Sequence, residues 1–214
     1  MPGKRGYLLA YNVVQLCLWT AVLVRCLVST SSVGLEHVYE AVAAIALTAQ
    51  TLAWAEVVHA MLGFGGTVPT AVVQCLGRFV VLMLVVDRID DIQGHIVTLF
   101  LLMAWSVGDI VRYAFYIAII THRVPKVLLW MRYSLFLVLY PLGIVAEWLI
   151  YYRTLPFVDK HRLYAIALPN KFNFAFDFGV WNRIVLVLYL YFGPFMFSHM
   201  LSQRRKKLHS DVQQ

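Results

Sequence analysis

Apolar residues run along this chain in six long blocks separated by short polar or glycine- and proline-bearing breaks. The blocks cover Tyr7 to Val28, Val38 to Leu62, Thr67 to Val86, Ile96 to Ile120, Val127 to Tyr151 and Val180 to Leu201. Each reaches the roughly 20 mostly apolar residues that one helical crossing of a bilayer requires. The first block is longer than the roughly 7–15-residue apolar core of a cleavable leader, so it predicts a retained span. Gly63, Gly65 and Gly66 predict a tight turn between the second and third blocks. Asp87 to Asp91 predicts a short charged loop, and Thr121 to Lys126, with Pro125, separates the fourth and fifth blocks. The one long connection, Tyr152 to Gly179, carries Pro156, Pro169, Asn170, Asn173 and several phenylalanines, a composition suited to the bilayer interface. No internal repeat is visible. The expected architecture is all-α: a polytopic integral membrane protein whose six transmembrane helices form one bundle, with residues 1–214 as a single membrane domain.

Composition supports a lipid solvent. Of 214 residues 61% are hydrophobic and 14% charged, against roughly a quarter charged in soluble domains. The net charge of +7 gathers at Lys4-Arg5, at Arg204-Arg205-Lys206-Lys207 and between spans. That is a topology pattern, and nucleic acid is not an expected partner. Six spans put both termini on one side, and Lys4, Arg5, Arg123, Lys126 and the terminal run favour the cytosol for it. Arg25, Arg88, Arg153, Lys160, Arg162 and Lys171 fall opposite and reduce the bias. Cys17, Cys26 and Cys75 have no pairing or zinc spacing and read as apolar fillers.

Ionisable groups inside spans are costly and mark where function resides. The second span carries Glu56 and His59, the third Gln74 and Arg78, and the fourth Asp109, Arg112, Tyr113 and Tyr116. The fifth carries Arg132, Tyr133, Tyr140 and Glu147. Tyr133, Tyr140 and Glu147 recur every seven residues, so they share one helix face, with Tyr140 and Glu147 ~10 Å apart along the axis. Pro141 frees the Leu137 carbonyl and predicts a kink, with Gly143 two residues on. A phenol, a carboxyl and a kink on one face can form an acid/base cleft. The alternatives are a tyrosine that only hydrogen-bonds a neighbouring helix and a glutamate that meets headgroup water near the span's end.

Other chemistries lack their residues. The seven histidines form no HxxxH or HxxHH pair, and no HxxxxD, GxSxG, P-loop or GxGxxG motif occurs. Glu56 and His59 have ExxH spacing, but a helix-bundle di-iron site needs two such motifs and further carboxylates. A metal site is therefore not expected.

The segment Tyr133-Ser-Leu-Phe-Leu-Val-Leu-Tyr140-Pro-Leu-Gly-Ile-Val-Ala-Glu147 resembles the core of the 3-hydroxyacyl-CoA dehydratases of very-long-chain fatty acid elongation. Supporting segments are Trp54-Ala-Glu56-Val-Val-His59, Gln74-Cys-Leu-Gly-Arg78 and Trp105-Ser-Val-Gly-Asp109-Ile-Val-Arg112-Tyr113-Ala-Phe-Tyr116. Pro169-Asn170, Asn173-Phe-Ala-Phe-Asp177 and His199-Met-Leu-Ser-Gln-Arg204-Arg205-Lys206 complete them. The resemblance implies a six-span protein of the endoplasmic reticulum membrane that needs no cofactor. It further implies conversion of a (3R)-3-hydroxyacyl-CoA to the trans-2-enoyl-CoA, alongside elongase, ketoacyl reductase and enoyl reductase. Tyr140 and Glu147 are then the catalytic pair, with Gln74, Arg78, Arg112, Arg132 and Gly143 supporting and Asp109 and Tyr116 in the same motif set. Asp109 stands where the family usually has Glu. The family is also called tyrosine-phosphatase-like, but Ala60 follows His59, so the cysteine nucleophile of a phosphatase is missing.

Dehydration needs one group to take the C2 proton and another to protonate the departing hydroxyl. Residue types alone leave the order open, with Tyr140 as base and Glu147 as acid the arrangement favoured here. The alternative function is a non-catalytic endoplasmic reticulum scaffold of the same fold.

Overall fold

The computed structural model describes residues 2–212, and side chains over 3–205. Lys206 and Lys207 of the terminal basic run lie outside the described side chains. Six helical rods long and apolar enough to cross a membrane account for most of the described chain. The chain is thus a multi-pass helical membrane protein, with helix α1 at Pro2–Ser32 and α6 at Ile96–Ile120 as two of its unbroken rods.

Helix α6 is the central post. In its most apolar window 67% of residues are buried, against 11–33% in the other five spans. It packs on α1 and, across the bundle, on the fifth rod. The core between them holds Trp19, Val22, Leu101, Leu102, Tyr113 and Ile150, while Val138, Val187, Leu190 and Phe195 face outward, as lipid contact requires.

The second rod is α2, Val38–Leu52, followed after a tight turn by α3, Ala55–Met61. Val42, Ala46, Ala49 and Ala53 form a buried stripe along α2 and its end. Small side chains on such a stripe let backbones approach closely in a membrane. Gln15 of α1 uses that approach and donates to the Ala49 carbonyl at 3.1 Å. The interruption at Ala53–Trp54 departs from the unbroken span expected from hydropathy. The Ala53 carbonyl accepts the Cys75 thiol at 3.4 Å, so the irregular backbone is satisfied by protein.

The third rod starts as α4, Val68–Phe79, and widens to a π-helical stretch at Val80–Val85. It follows the turn at Gly63, Gly65 and Gly66, whose φ values of 68°, 143° and 71° suit glycine. The segment read as a loop at Asp87–Asp91 is instead a 3₁₀ turn, Val86–Arg88, leading into α5, Asp90–Gln93.

The fifth rod is α7, Lys126–Ser134, then α8, Phe136–His161. The break falls at Leu135, ahead of Pro141 rather than at it. The proline ring crowds the carbonyl four residues earlier, so the turn on its N-terminal side rearranges. There the amides of Val138 and Leu139 both bond the Leu135 carbonyl, at 3.1 and 2.9 Å. Helix α8 also outruns the expected end at Tyr151 by ten residues. Glu147 therefore lies near the middle of the 36-residue rod Lys126–His161, not near its end.

The connection shrinks accordingly to residues 162–177. It is pinned by Asn170, whose amide donates to the Ala167 and Phe174 carbonyls at 2.9 and 2.6 Å, and by an antiparallel bridge between Ile166 and Phe176. Asp177 accepts the amides of Gly179 and Val180 at 2.8 and 3.1 Å and starts the last rod, α9, Phe178–Val212.

Candidate active site

A cavity of about 1260 Å³ opens between these rods. It exceeds the roughly 300–1,000 Å³ of ordinary small-molecule sites and suits a long flexible ligand. All nine residues that the resemblance assigns to the site line it, whereas Tyr113 and Tyr133 do not.

Helix α6 supplies the cavity face through Trp105, Asp109, Arg112 and Tyr116, spaced four, three and four apart, one helical stripe. Asp109 is 2% exposed and lies between two arginines. Arg78 of α4 donates to its Oδ2 in a short contact, and Arg112 Nε sits 3.3 Å from its Oδ1. Arg112 also donates to Glu56 at 3.1 Å and to the Tyr113 hydroxyl at 2.7 Å. Tyr113 in turn donates to the same Glu56 oxygen at 2.5 Å. Two carboxylates thus offset two guanidiniums, the condition under which such charges can be taken out of water. Arg112 and Asp109 are the ion pair expected at their spacing, and Glu56 and Arg78 extend it across three rods. His59 points elsewhere, to the Tyr7 hydroxyl at 3.0 Å and edge-on to Tyr11. Among the described residues no three His, Cys, Asp or Glu side chains are gathered as a metal site.

The second polar centre is Glu147, in the same cavity. Its Oε1 accepts the Trp105 indole N–H at 3.1 Å, and its Oε2 receives the Tyr189 hydroxyl in a short hydrogen bond. Arg78 is also close, its guanidinium 4.8 Å from the centroid of the Trp105 ring. Tyr140 sits two turns along α8 towards the break, its hydroxyl donating to the Gly193 carbonyl of α9 at 3.3 Å and its ring stacked on Phe197. Gly143 lies between Tyr140 and Glu147, and a Cβ there would meet no atom within 4 Å. Its bare backbone widens the cavity between the phenol and the carboxyl. Gln74 is exposed to the cavity, as is part of Arg132, and neither makes a hydrogen bond or ion pair among the described residues. Tyr116 meets Tyr113 edge to face, ring centroids 6.5 Å apart.

Sequence reasoning passed over the two donors to Glu147. Trp105 carried a usable signal, one turn before Asp109 on the same stripe. Tyr189 carried none, because α9 is apolar on every side and its tyrosines keep no helical period.

These features define a polytopic membrane protein with an acid–phenol centre buried in a substrate-sized cavity. The chain belongs to the family described as protein tyrosine phosphatase-like protein, PTPLA, which it matches over residues 50–210. It is 34% identical over 212 residues to the mouse very-long-chain (3R)-3-hydroxyacyl-CoA dehydratase 2, covering 97% of this chain and 82% of that one. It is 34% identical over 224 residues to dehydratase 1 of Canis lupus familiaris, covering 99% and 89%. It is 35% identical over 207 residues to dehydratase PASTICCINO 2B of Oryza sativa subsp. japonica, covering 96% and 94%. No solved structure gives a significant match.

Proposed function

We propose that this chain is a (3R)-3-hydroxyacyl-CoA dehydratase, a hydro-lyase that forms the trans-2-enoyl-CoA in very-long-chain fatty acid elongation. The observation that carries the reading is one cavity holding a carboxyl and a phenol two turns apart on α8, beside an apolar wall from α9. Tyr140 and Glu147 form the catalytic pair: one removes the C2 proton, the other protonates the departing C3 hydroxyl. Gln74 and Arg78 follow each other by one turn on α4, and in this reading they donate to the thioester carbonyl, whose negative charge grows as the C2 proton leaves. Arg78 keeps donors for this beyond the one given to Asp109, since a guanidinium has five.

The acyl chain occupies the apolar wall formed by Val185, Leu188, Phe192 and Met196. The coenzyme head leaves through the mouth bounded by the glycine turn, the end of α6 and Arg132. An even number of spans puts that mouth on the side of both termini. The protein then resides in the endoplasmic reticulum membrane with its termini, Lys4, Arg5, Arg123 and Lys126 in the cytosol. Elongase, ketoacyl reductase and enoyl reductase are its functional partners.

The test is turnover of a long-chain (3R)-3-hydroxyacyl-CoA by the detergent-purified chain beside Tyr140→Phe and Glu147→Gln. Turnover by the parent and losses of at least about a hundredfold in both variants are expected. A folded, monodisperse parent without turnover refutes the reading.

A further inference from the structure

Glu147 and Tyr140 sit in opposite hydrogen-bonding surroundings, and resting on the dehydratase reading above, that contrast assigns their roles. We propose that Trp105 and Tyr189 are positioning residues that hold Glu147 as the proton acceptor of the reaction, leaving Tyr140 to protonate the departing hydroxyl.

The frame around Glu147 is built from donors. An indole N–H can only donate, so Oε1 must accept from Trp105. The Tyr189 hydroxyl occupies Oε2. The two donors come from α6 and α9, on either side of α8, and fix the carboxyl plane from both flanks. The Arg78 guanidinium lies over the Trp105 ring and brings a positive charge to the same side. A carboxylate offers about four acceptor positions, so two donors leave two for a substrate C–H. A protonated Glu147 would give up part of its acceptor capacity to its own O–H, whereas the carboxylate meets both donors with full acceptor strength. Tyr140 has the reverse setting. The polar neighbour of its oxygen is a carbonyl, Gly193, which suits a hydroxyl and opposes a phenolate. The titratable and charged groups near Glu147 are Arg78 on α4, Tyr140 and Tyr151 on α8, and Tyr189 on α9. Arg78 is the one cation among them. This order is the reverse of the one favoured by residue type alone.

In the resulting step the Glu147 carboxylate takes the C2 proton, and the C–H electron pair becomes the C2=C3 π bond. The C3–O pair leaves with the oxygen, which takes the Tyr140 proton and departs as water. The proton on Glu147 then returns to the Tyr140 oxygen through cavity water, since the two groups share no hydrogen bond. Both side chains are restored and the net change is loss of one water.

The test compares the 3-hydroxyacyl-CoA with the matching 3-chloroacyl-CoA, whose chloride leaves without protonation, each corrected for uncatalysed elimination. Tyr140→Phe should lose at least about a hundredfold on the hydroxy substrate and stay within about tenfold of the parent on the chloro substrate. Glu147→Gln should lose at least about a hundredfold on both. Tyr189→Phe removes one oxygen at constant shape, and Trp105→Phe removes the indole donor. Each should lower kcat about 10–100-fold with KM within about threefold, and enlarge the kinetic isotope effect of a C2-dideuterated substrate. A variant that merely folded less well would lower kcat without changing the isotope effect. Rescue of Glu147→Gln, rather than Tyr140→Phe, by the chloro substrate would overturn the role assignment. An unchanged isotope effect in both Tyr189→Phe and Trp105→Phe would overturn the positioning roles. A parent inactive on the hydroxy substrate refutes the dehydratase reading itself, a separate outcome.

Discussion

Replacing Asp109 by Asn keeps the shape of a side chain that is 2% exposed while removing the charge that two arginines share. The Arg112 pair alone, at 3.3 Å and an effective dielectric of about 20, carries an attraction of roughly 5 kcal/mol. Two effects reduce the net loss. The amide avoids the several kcal/mol that a buried carboxylate costs in lost hydration. The Arg78 side chain is 19% exposed, so cavity water can replace part of what Asp109 supplied. What remains is one uncompensated positive charge in the network, placing the expected destabilisation at about 3 kcal/mol, the low end for a broken buried pair. The assay is reversible unfolding in mixed micelles titrated with sodium dodecyl sulfate, followed by tryptophan fluorescence. Arg112→Met and the double variant complete a cycle, for which a coupling of about 2 kcal/mol is expected. Asp109→Glu keeps the charge, and because the site borders the cavity its extra methylene should cost less than about 1.5 kcal/mol. If Asp109→Asn unfolds within about 1 kcal/mol of the parent, or the coupling falls below about 0.5 kcal/mol, the neutral network is not what stabilises this half of the bundle.

Gly143→Ala should leave stability unchanged or raise it by up to about 1 kcal/mol, since its Cβ meets nothing and alanine is the better helix former. Gly143→Phe should keep the fold, judged by elution profile and melting, yet cut turnover at least about tenfold by filling the space between Tyr140 and Glu147. Asp177→Ala removes the one oxygen that accepts two amides at the start of α9 and should cost about 1 kcal/mol in the micelle titration, with kcat unaltered because the cavity lining does not include it. His95, outside the spans, is held below the ordinary imidazole range by burial and then by Arg153. Its Nδ1 accepts the Val97 amide at 3.2 Å, which only the unprotonated nitrogen can do. The folded protein therefore binds this proton less readily than the unfolded chain. The contribution is present above about pH 6.5 and is lost as pH falls below it. The drop in melting temperature between pH 8 and pH 5 should be smaller in His95→Asn than in the parent, and an equal or larger drop would contradict this.

Six helices were legible because lipid leaves little choice: a 20-residue apolar run must satisfy its own backbone. Their interruptions were less so. The break at Ala53–Trp54 has no proline or glycine to announce it: the Ala53 carbonyl takes the Glu56 amide at 2.9 Å, one residue short of α-helical spacing, and the Cys75 thiol, 22 residues on, at 3.4 Å. Pro141 was visible, but the place where its strain appears depends on which earlier amides find partners. The true end of the fifth helix was hidden because Arg153, Asp159 and Lys160 look like loop residues by hydropathy. They lie beyond the apolar window, where Asp159 pairs with Arg183 at 2.6 Å.

That hidden extension changes how the cavity can work. With the fifth helix ending at Tyr151, Glu147 would lie about one turn from its end. Running to His161, the helix leaves Glu147 near the middle of the rod Lys126–His161, with Tyr140 and then Arg132 towards its N-terminal end. Glu147 with its two donors, the Arg78–Asp109–Arg112–Glu56 network and Arg132 all border one cavity. Trp105, Asp109, Arg112 and Tyr116 line that cavity from one stripe of α6, the most buried rod. The same stripe therefore packs the bundle and orients the chemistry. Substitutions along it should affect stability and turnover together, whereas those at Tyr140 or Gly143, on the half-lipid-facing α8, should separate the two.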